Sequence, residues 1–296
     1  MTTHLTRRRF LAISAAAMAS PVRAEPVTWQ GFALGAEVSL SIHAPAEFAE
    51  KAIAQTRVSL REIEKLFSLY DPASLLSELN RRGVLANPPA SFRELTRICA
   101  QVHMATGGVF DPTIQPLWQA VARGDRVSLE KMNIGWHHVR IGHSIRLGAG
   151  QSVTLNGIAQ GYATDLIRTR LAKLGLTRAL INIGEFSALG GPFRLGLADP
   201  VQGMFATRTL TNRAIATSSP GAMRLGDRSH ILHPSLARNP LWSTVSVEAD
   251  SAAIADAAST AFVLMTRREI RHSLGRLPGR VKVTLLAEDG DVQMQG

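Results

Sequence analysis

The chain reads as an α+β protein, on two observations. Many short apolar strands are scattered along it with only a few helices between them, and the regular strand–helix alternation of a doubly wound parallel sheet is missing. Near the middle, a short apolar strand (Val153, Leu155) runs into two glycines, Gly157 and Gly161, and then into a helix. The helix is predicted from apolar residues at Ile158, Ala159, Tyr162, Ala163, Leu166, Ile167, Leu171 and Leu174, close to the 3.6-residue period. Gly175 ends it, and 178–183 reads as the next strand.

Taken in order, Val27–His43 alternates enough to read as a hairpin of strands. The segment Pro45–Phe67 carries Phe48, Ile53, Val58, Ile63 and Leu66 among charges, the pattern of a long amphipathic helix whose first position tolerates proline. Ser77–Asn80 and the pair Pro88-Pro89 bracket a short helix and a loop, and Phe92–Met104 is the next helix, stopped by Gly107-Gly108. Phe110–Trp118, punctuated by Pro112 and Pro116, reads as a loop, and Val139–Leu147 as a hairpin turning at Gly142 to Ser144. Short strands follow at 194–198, 207–210, 214–217 and 241–248, then an alanine-rich helix over Ser251–Met265. There is neither an internal repeat nor a low-complexity linker, so residues 25–296 are read as one domain.

Residues 1–24 read as an export signal. Arg7, Arg8 and Arg9, followed by Phe10 and Leu11, form a twin-arginine pattern before the apolar run Leu11–Ala19, and Val22-Arg23-Ala24 offers a small-residue cleavage site. The run is far shorter than the roughly 20 residues of a membrane span. The expected carrier is the twin-arginine translocase, and the expected destination is the periplasm or the outer face of a bacterial membrane, with membrane association an open possibility. The formal charge of +10 falls to +6 once the four arginines of that segment are set aside. Such an excess suits an anionic ligand or an anionic membrane surface. No dense Lys/Arg stripe with interleaved aromatics occurs, so nucleic acid is not an expected partner. The single cysteine, Cys99, excludes an intramolecular disulfide and a cysteine ligand cluster.

Several constellations can carry chemistry. The Gly157–Gly161 turn at a helix N-terminus presents free N–H groups and a positive dipole end, equally fit for a nucleotide's phosphates or for a plain tight turn. Asp256 and Thr260, at i and i+4, project on one helix face. Together they suit a hard cation such as Mg²⁺, though Asp250, Ser251 and Asp256 also suit simple helix capping. His230 to Pro234 places imidazoles beside a proline-ended turn, where a neutral histidine donates to phosphate or works as an acid or base; for His233 a loop role is the plainer reading. Thr217, Ser218 and Ser219 supply hydroxyls and amides in a turn, Asp111 offers an acceptor in an Asp-Pro loop, and Tyr70 offers an aromatic face. No Gly-x-Ser-x-Gly elbow, Walker loop or His-Glu-x-x-His motif supports the corresponding hydrolases and kinases.

In this order the segments resemble the FAD:protein FMN transferase (ApbE) family. The resemblance runs from Gly31–Gly35 through Phe67–Pro72, Ser77–Asn80 and Gly108–Thr113 to the core Gly157–Asp165. It continues through Ile183-Gly184, Ala216–Ser218, Ser229–Ile231 and Ala255–Thr260. The twin-arginine form is also similar to accessory proteins of nitrous oxide reductase maturation, a subgroup of that family. The resemblance implies a fold of mixed or antiparallel sheets with helices, and FAD in a cleft between sub-lobes. It implies Mg²⁺-dependent transfer of FMN from FAD to a Thr or Ser hydroxyl of a target redox protein, with release of AMP. The target residue sits in an Asp-x-x-Thr/Ser-like motif, often in a membrane-bound or periplasmic electron-transfer subunit. A flavin-holding maturation factor with little turnover and an FAD pyrophosphatase are the alternatives.

By position, Leu34 and Tyr70 would flank the flavin or adenine, and Val109, Phe110 and Asp111 would line a ring pocket. Thr154, Gly157, Gln160 and Gly161 would hold the diphosphate, with Thr217 and Ser218 near the pyrophosphate, and His230, Ile231 and Leu232 would close the pocket. The Gly157 carbonyl, Asp256 and Thr260 would hold the metal. Three departures stand out. Thr154, Asn156 and Gln160 replace an Asp-x-Gly-Gly start and a lysine; Glu185 stands where a second glycine is usual; and His233 stands where Asp or Asn usually precedes the proline.

Overall fold

The computed structural model describes residues 25–296; the export signal read at 1–24 lies outside them. The chain opens with the expected hairpin of β1 (Val27–Ala33) and β2 (Ala36–Ile42). Helix α1 (Ala46–Phe67) follows, capped by Pro45, and buries Ala49, Ala52, Leu60, Ile63 and Phe67 along one stripe. Then come α2 (Leu75–Arg82), β3 (Val84–Ala86), α3 (Ala90–Ala105), α4 (Gln115–Arg123), β4 (Arg140–Ile141) and β5 (Ser144–Arg146). The second half runs α5 (Ala159–Lys173), β6 (Ala179–Asn182), β7 (Phe186–Leu189), β8 (Phe193–Asp199), β9 (Gly203–Leu210) and β10 (Ala214–Ser218). It ends with β11 (Arg224–Leu225), β12 (Arg228–Ser229), β13 (Thr244–Ala249), α6 (Ala252–Phe262), α7 (Arg267–Leu274), β14 (Lys282–Leu286) and β15 (Val292–Gln295).

Eight strands form the main sheet in the order β1-β2-β6-β7-β10-β13-β14-β15, every neighbouring pair antiparallel. Its central strands are buried on both faces. Ile181 of β6 points into the main core under α5 and α6, while its neighbour Leu180 joins Phe186 and Ile215 beneath the β8–β9 hairpin. In the main core Phe67 of α1 meets Phe92 of α3 and the edge of Tyr162 of α5, with ring centroids 5.3 and 5.8 Å apart.

Two expectations are corrected. Residues 110–118 are not a loop: a 3₁₀ turn at Pro112–Ile114 leads straight into α4, because Pro112 and Pro116 occupy first-turn positions where a missing N–H costs nothing. Val153–Leu155 is extended but joins no sheet. The Asn80 side chain stands in for a neighbouring strand, donating to the Val153 carbonyl at 2.8 Å and accepting from its N–H at 2.7 Å. Among the described residues no helix is long and apolar enough to cross a membrane.

Candidate functional site

The site is built where the N-termini of α5 and α6 cross. Gly161, in the first turn of α5, lies so close to α6 that a Cβ on it would sit 2.3 Å from the Ala252 carbonyl oxygen. That approach lets Asp256 of α6 accept the Gly161 N–H at 3.0 Å, serving the start of a helix whose own N-cap, Ile158, has no side chain to do so. Gly157 faces Thr260 one turn further along: a Cβ there would lie 2.9 Å from Thr260 Oγ1. Within α6 every residue but Thr260 is buried, so its hydroxyl is the side-chain atom the helix offers outward. Asp256 thus meets Gly161 and Thr260 meets Gly157, so both side chains line the glycine turn. The set is all oxygen, which fits a hard divalent ion. Among the described residues no group of three or more His, Cys, Asp or Glu side chains is arranged as a metal cluster.

Strand β10 closes the other side. Ser218 Oγ pairs with Ser259 Oγ at 2.8 Å, and Ser259 in turn donates to the Asp256 carbonyl at 2.9 Å, tying strand to helix beside the carboxylate. Thr217 Oγ1 pairs with Ser246 Oγ at 2.8 Å, and its N–H donates to Glu185 Oε2 at 3.1 Å. Gln160 packs on Gly184, whose φ of +92° turns the chain so that Glu185 faces the same space. Burial raises both buried acids: Asp256 goes up to about 7, and Glu185 well above its usual range, with the Asp256 charge adding to the effect. In the sequence Glu185 stood out only as a departure; an acid in a short turn between two apolar segments, next to Phe186, was the signal for a buried carboxylate.

The remaining expected residues lie on other elements, and among the described residues the hydrogen bonds of Leu34, Asp111, Thr154 and His230 go to partners other than Asp256 and Thr260. His230 Nδ1 lies 3.0 Å from the Met223 carbonyl and, facing a carbonyl, donates to it. Burial holds its pKa below the ordinary value, against the pull of the Met223 and Pro220 carbonyls. Ile231 and Leu232 are buried, in the main core and in a small cluster with Leu117 and Leu225 respectively. Leu34 sits at the β1–β2 turn with φ +50°, unusual for a side chain with a Cβ, and its N–H donates to Glu64 at 3.1 Å. Tyr70 is exposed after α1. Phe110 is buried and Val109 packs against the core. Asp111 holds its own loop: Oδ1 accepts from Thr113 N–H and Oγ1 at 2.9 and 2.6 Å, and Oδ2 from Trp136 N–H at 3.1 Å. Thr154 donates its N–H to Pro112 at 2.8 Å and accepts from Asn156 at 3.2 Å, bringing that loop to the glycine turn.

A cleft of about 1080 Å³ lies between the outer face of β1, β2 and β6 and the β8–β9 hairpin. It meets the site at Gly184, Glu185 and Thr217; of the residues expected to bind flavin, only Thr217 lines it.

The sequence model of the ApbE family matches residues 34–285. The fold is similar to the flavin transferase ApbE from Vibrio cholerae, at 21% identity over 92% of this chain and 96% of that one, with a TM-score of 0.77. The flavinyl transferase ApbE from Pseudomonas stutzeri, in its apo form, gives 22% identity, 94% and 96% coverage and a TM-score of 0.79. The ApbE protein from Thermotoga maritima gives 23%, 91% and 96%, and 0.80. No individually curated protein matches the sequence.

Proposed function

Because the chain belongs to the ApbE family, we propose that it is an exported, Mg²⁺-dependent FAD:protein FMN transferase. In this reading an acceptor Thr or Ser hydroxyl attacks the FMN-side phosphorus of FAD. The new P–O bond forms as the P–O bond to the AMP half breaks, so the acceptor carries FMN and AMP leaves. The observation that carries the reading is the meeting of Asp256 with Gly161 and of Thr260 with Gly157 at the N-terminus of α5, a place suited to phosphate and cation together.

The residues divide the work. Asp256, Thr260 Oγ1 and the Gly157 carbonyl hold Mg²⁺, which when bound neutralises charge developing on the phosphates. The expected row of free N–H groups in the Gly157–Gly161 turn is largely used up, since Ile158 and Ala159 donate to the Leu155 carbonyl and Gly161 to Asp256. The positive end of α5, with Thr217 and Ser218, orients the diphosphate. His230, whose pKa burial lowers, takes the proton of the attacking hydroxyl. The acceptor is a redox protein with an Asp-x-x-Thr/Ser-like motif, reached outside the cytoplasm after export by the segment 1–24.

The test is incubation with FAD, Mg²⁺ and an acceptor domain bearing that motif, followed by in-gel flavin fluorescence and nucleotide quantification. A fluorescent acceptor matched mole for mole by AMP supports transfer. Free FMN plus AMP, with no labelled band, makes the protein a pyrophosphatase; intact FAD, where a known transferase labels the same acceptor, makes it a flavin carrier. Asp256→Ala is expected to abolish Mg²⁺-dependent AMP release with the fold intact. Thr260→Ala should slow the same step less, since water replaces a neutral ligand. Wild-type rates in Asp256→Ala would remove the metal assignment.

A further inference from the structure

Glu185 has no place in the set of ligands above, yet it stands against it. Its carboxylate is 9% exposed, and Thr217 N–H donates to Oε2 at 3.1 Å. Its backbone carbonyl accepts from Thr164 Oγ1 at 3.2 Å, which fixes Glu185 against the first turns of α5, the same turns whose Gly161 N–H binds Asp256. Each of the two acids thus has one oxygen held by a single backbone N–H. Among the described residues neither takes a second donor, and neither is ion-paired to a Lys, Arg or His. The second oxygens are not sealed in, and Glu185 borders the open cleft. Two nearly buried carboxylates fixed against the same first turns of α5, neither with a basic neighbour, are placed to share a cation.

We infer that Glu185 is a further anionic ligand of the cation held by Asp256 and Thr260, bound to the ion directly or through one of its waters. The inference rests on the function proposed above and goes beyond it. Glu185 replaces a glycine of the resembled pattern, and here the lysine of that pattern is also replaced, by Gln160, which packs on Gly184. Exchanging a basic side chain for an acidic one at the same wall shifts the site from one that leans on protein cations to one that leans on the metal. Two carboxylates balance a divalent ion in full, and hard oxygen donors select Mg²⁺ or Mn²⁺ over softer metals.

The test measures metal binding, not turnover. Mg²⁺ is titrated calorimetrically, and Mn²⁺ by electron paramagnetic resonance, into the purified flavin-free protein, its Glu185→Gln variant and its Asp256→Asn variant. Glu185→Gln keeps the shape and an oxygen for Thr217 N–H but removes the charge. It should weaken Mg²⁺ binding at least tenfold. Asp256→Asn should weaken binding at least as much. Wild-type affinity in Glu185→Gln with loss in Asp256→Asn overturns the role of Glu185 and leaves the metal site standing. Unchanged affinity in both variants, or no binding by the wild type, overturns the inference together with the metal assignment.

Discussion

His230 shows how one side chain is prepared by two unrelated contacts. The Met223 carbonyl accepts the Nδ1 N–H, and burial lowers the pKa, which favours the neutral ring. His230→Asn keeps a donor for Met223 and deletes Nε2. Transfer should fall by about 10²–10⁴, the range of general acid–base effects, while the melting temperature barely moves; single-turnover flavin transfer reads this directly. Because the folded pKa lies below that of the unfolded chain, the unfolded state takes up the proton first. Its stabilising contribution is therefore complete above about 6.5 and is lost as pH falls through the lowered value. Gly161 makes a different point. In an isolated helix Gly→Ala stabilises by about 1 kcal/mol, but here the new Cβ would meet the Ala252 carbonyl at 2.3 Å. Gly161→Ala should instead destabilise by about 1–3 kcal/mol, the cost of overpacking, as read by urea denaturation. The sequence made Gly157 and Gly161 alike, two glycines of one phosphate turn. Their spacing was legible, but the separate reasons for them, Thr260 beside one and a helix backbone beside the other, lie about a hundred residues away along the chain.

At the scale of elements, α5 and α6 cap each other. Asp256 of α6 accepts from the start of α5, and Asp165 of α5 accepts from Ala252 N–H, Ala253 N–H and Ser251 Oγ at the start of α6, at 2.8, 3.0 and 2.6 Å. Position along one helix is thereby fixed by the other, and the proposed cation ligands Asp256 and Thr260 inherit that precision. Asp165→Ala should cost about 0.5–2 kcal/mol as a lost cap. It should also weaken Mg²⁺ binding, although Asp165 is no ligand, because Asp256 shifts with its helix. Equal Mg²⁺ affinity in Asp165→Ala and wild type, by calorimetry, would refute the coupling. The helices themselves were plain in the sequence, since their apolar periods are long and uninterrupted. Two misreadings had local causes: prolines that start α4 were read as breakers, and a segment with alternating apolar residues was read as a strand although a single asparagine supplies its partner. Elements β7, α7, β14 and β15 were not read at all.

For the whole molecule, strand existence was easier to read than strand order. The neighbours β2 and β6 are separated by more than a hundred residues, and β7 meets β10 only after the β8–β9 hairpin folds back over the sheet. Nothing periodic in a strand names its partner. What this order does is bring the β6–β7 turn, the end of β10 and both helix N-termini to one place, so ligands that bind there act on the stability of the entire chain. At free FAD and Mg²⁺ a hundred times above their dissociation constants, linkage gives about 2.7 kcal/mol per site. At about 2–4 °C per kcal/mol for a chain of this size, either ligand should raise the melting temperature by about 5–10 °C. In the proposed function diphosphate and cation share one pocket, so the shift with both present should exceed the sum of the separate shifts. Asp256→Asn should reduce the combined shift to that of FAD alone, since the nucleotide's other contacts remain while its metal bridge is gone. Additive shifts in the wild type would place the two ligands in separate sites, and the convergence at α5 and α6 would then need a different purpose.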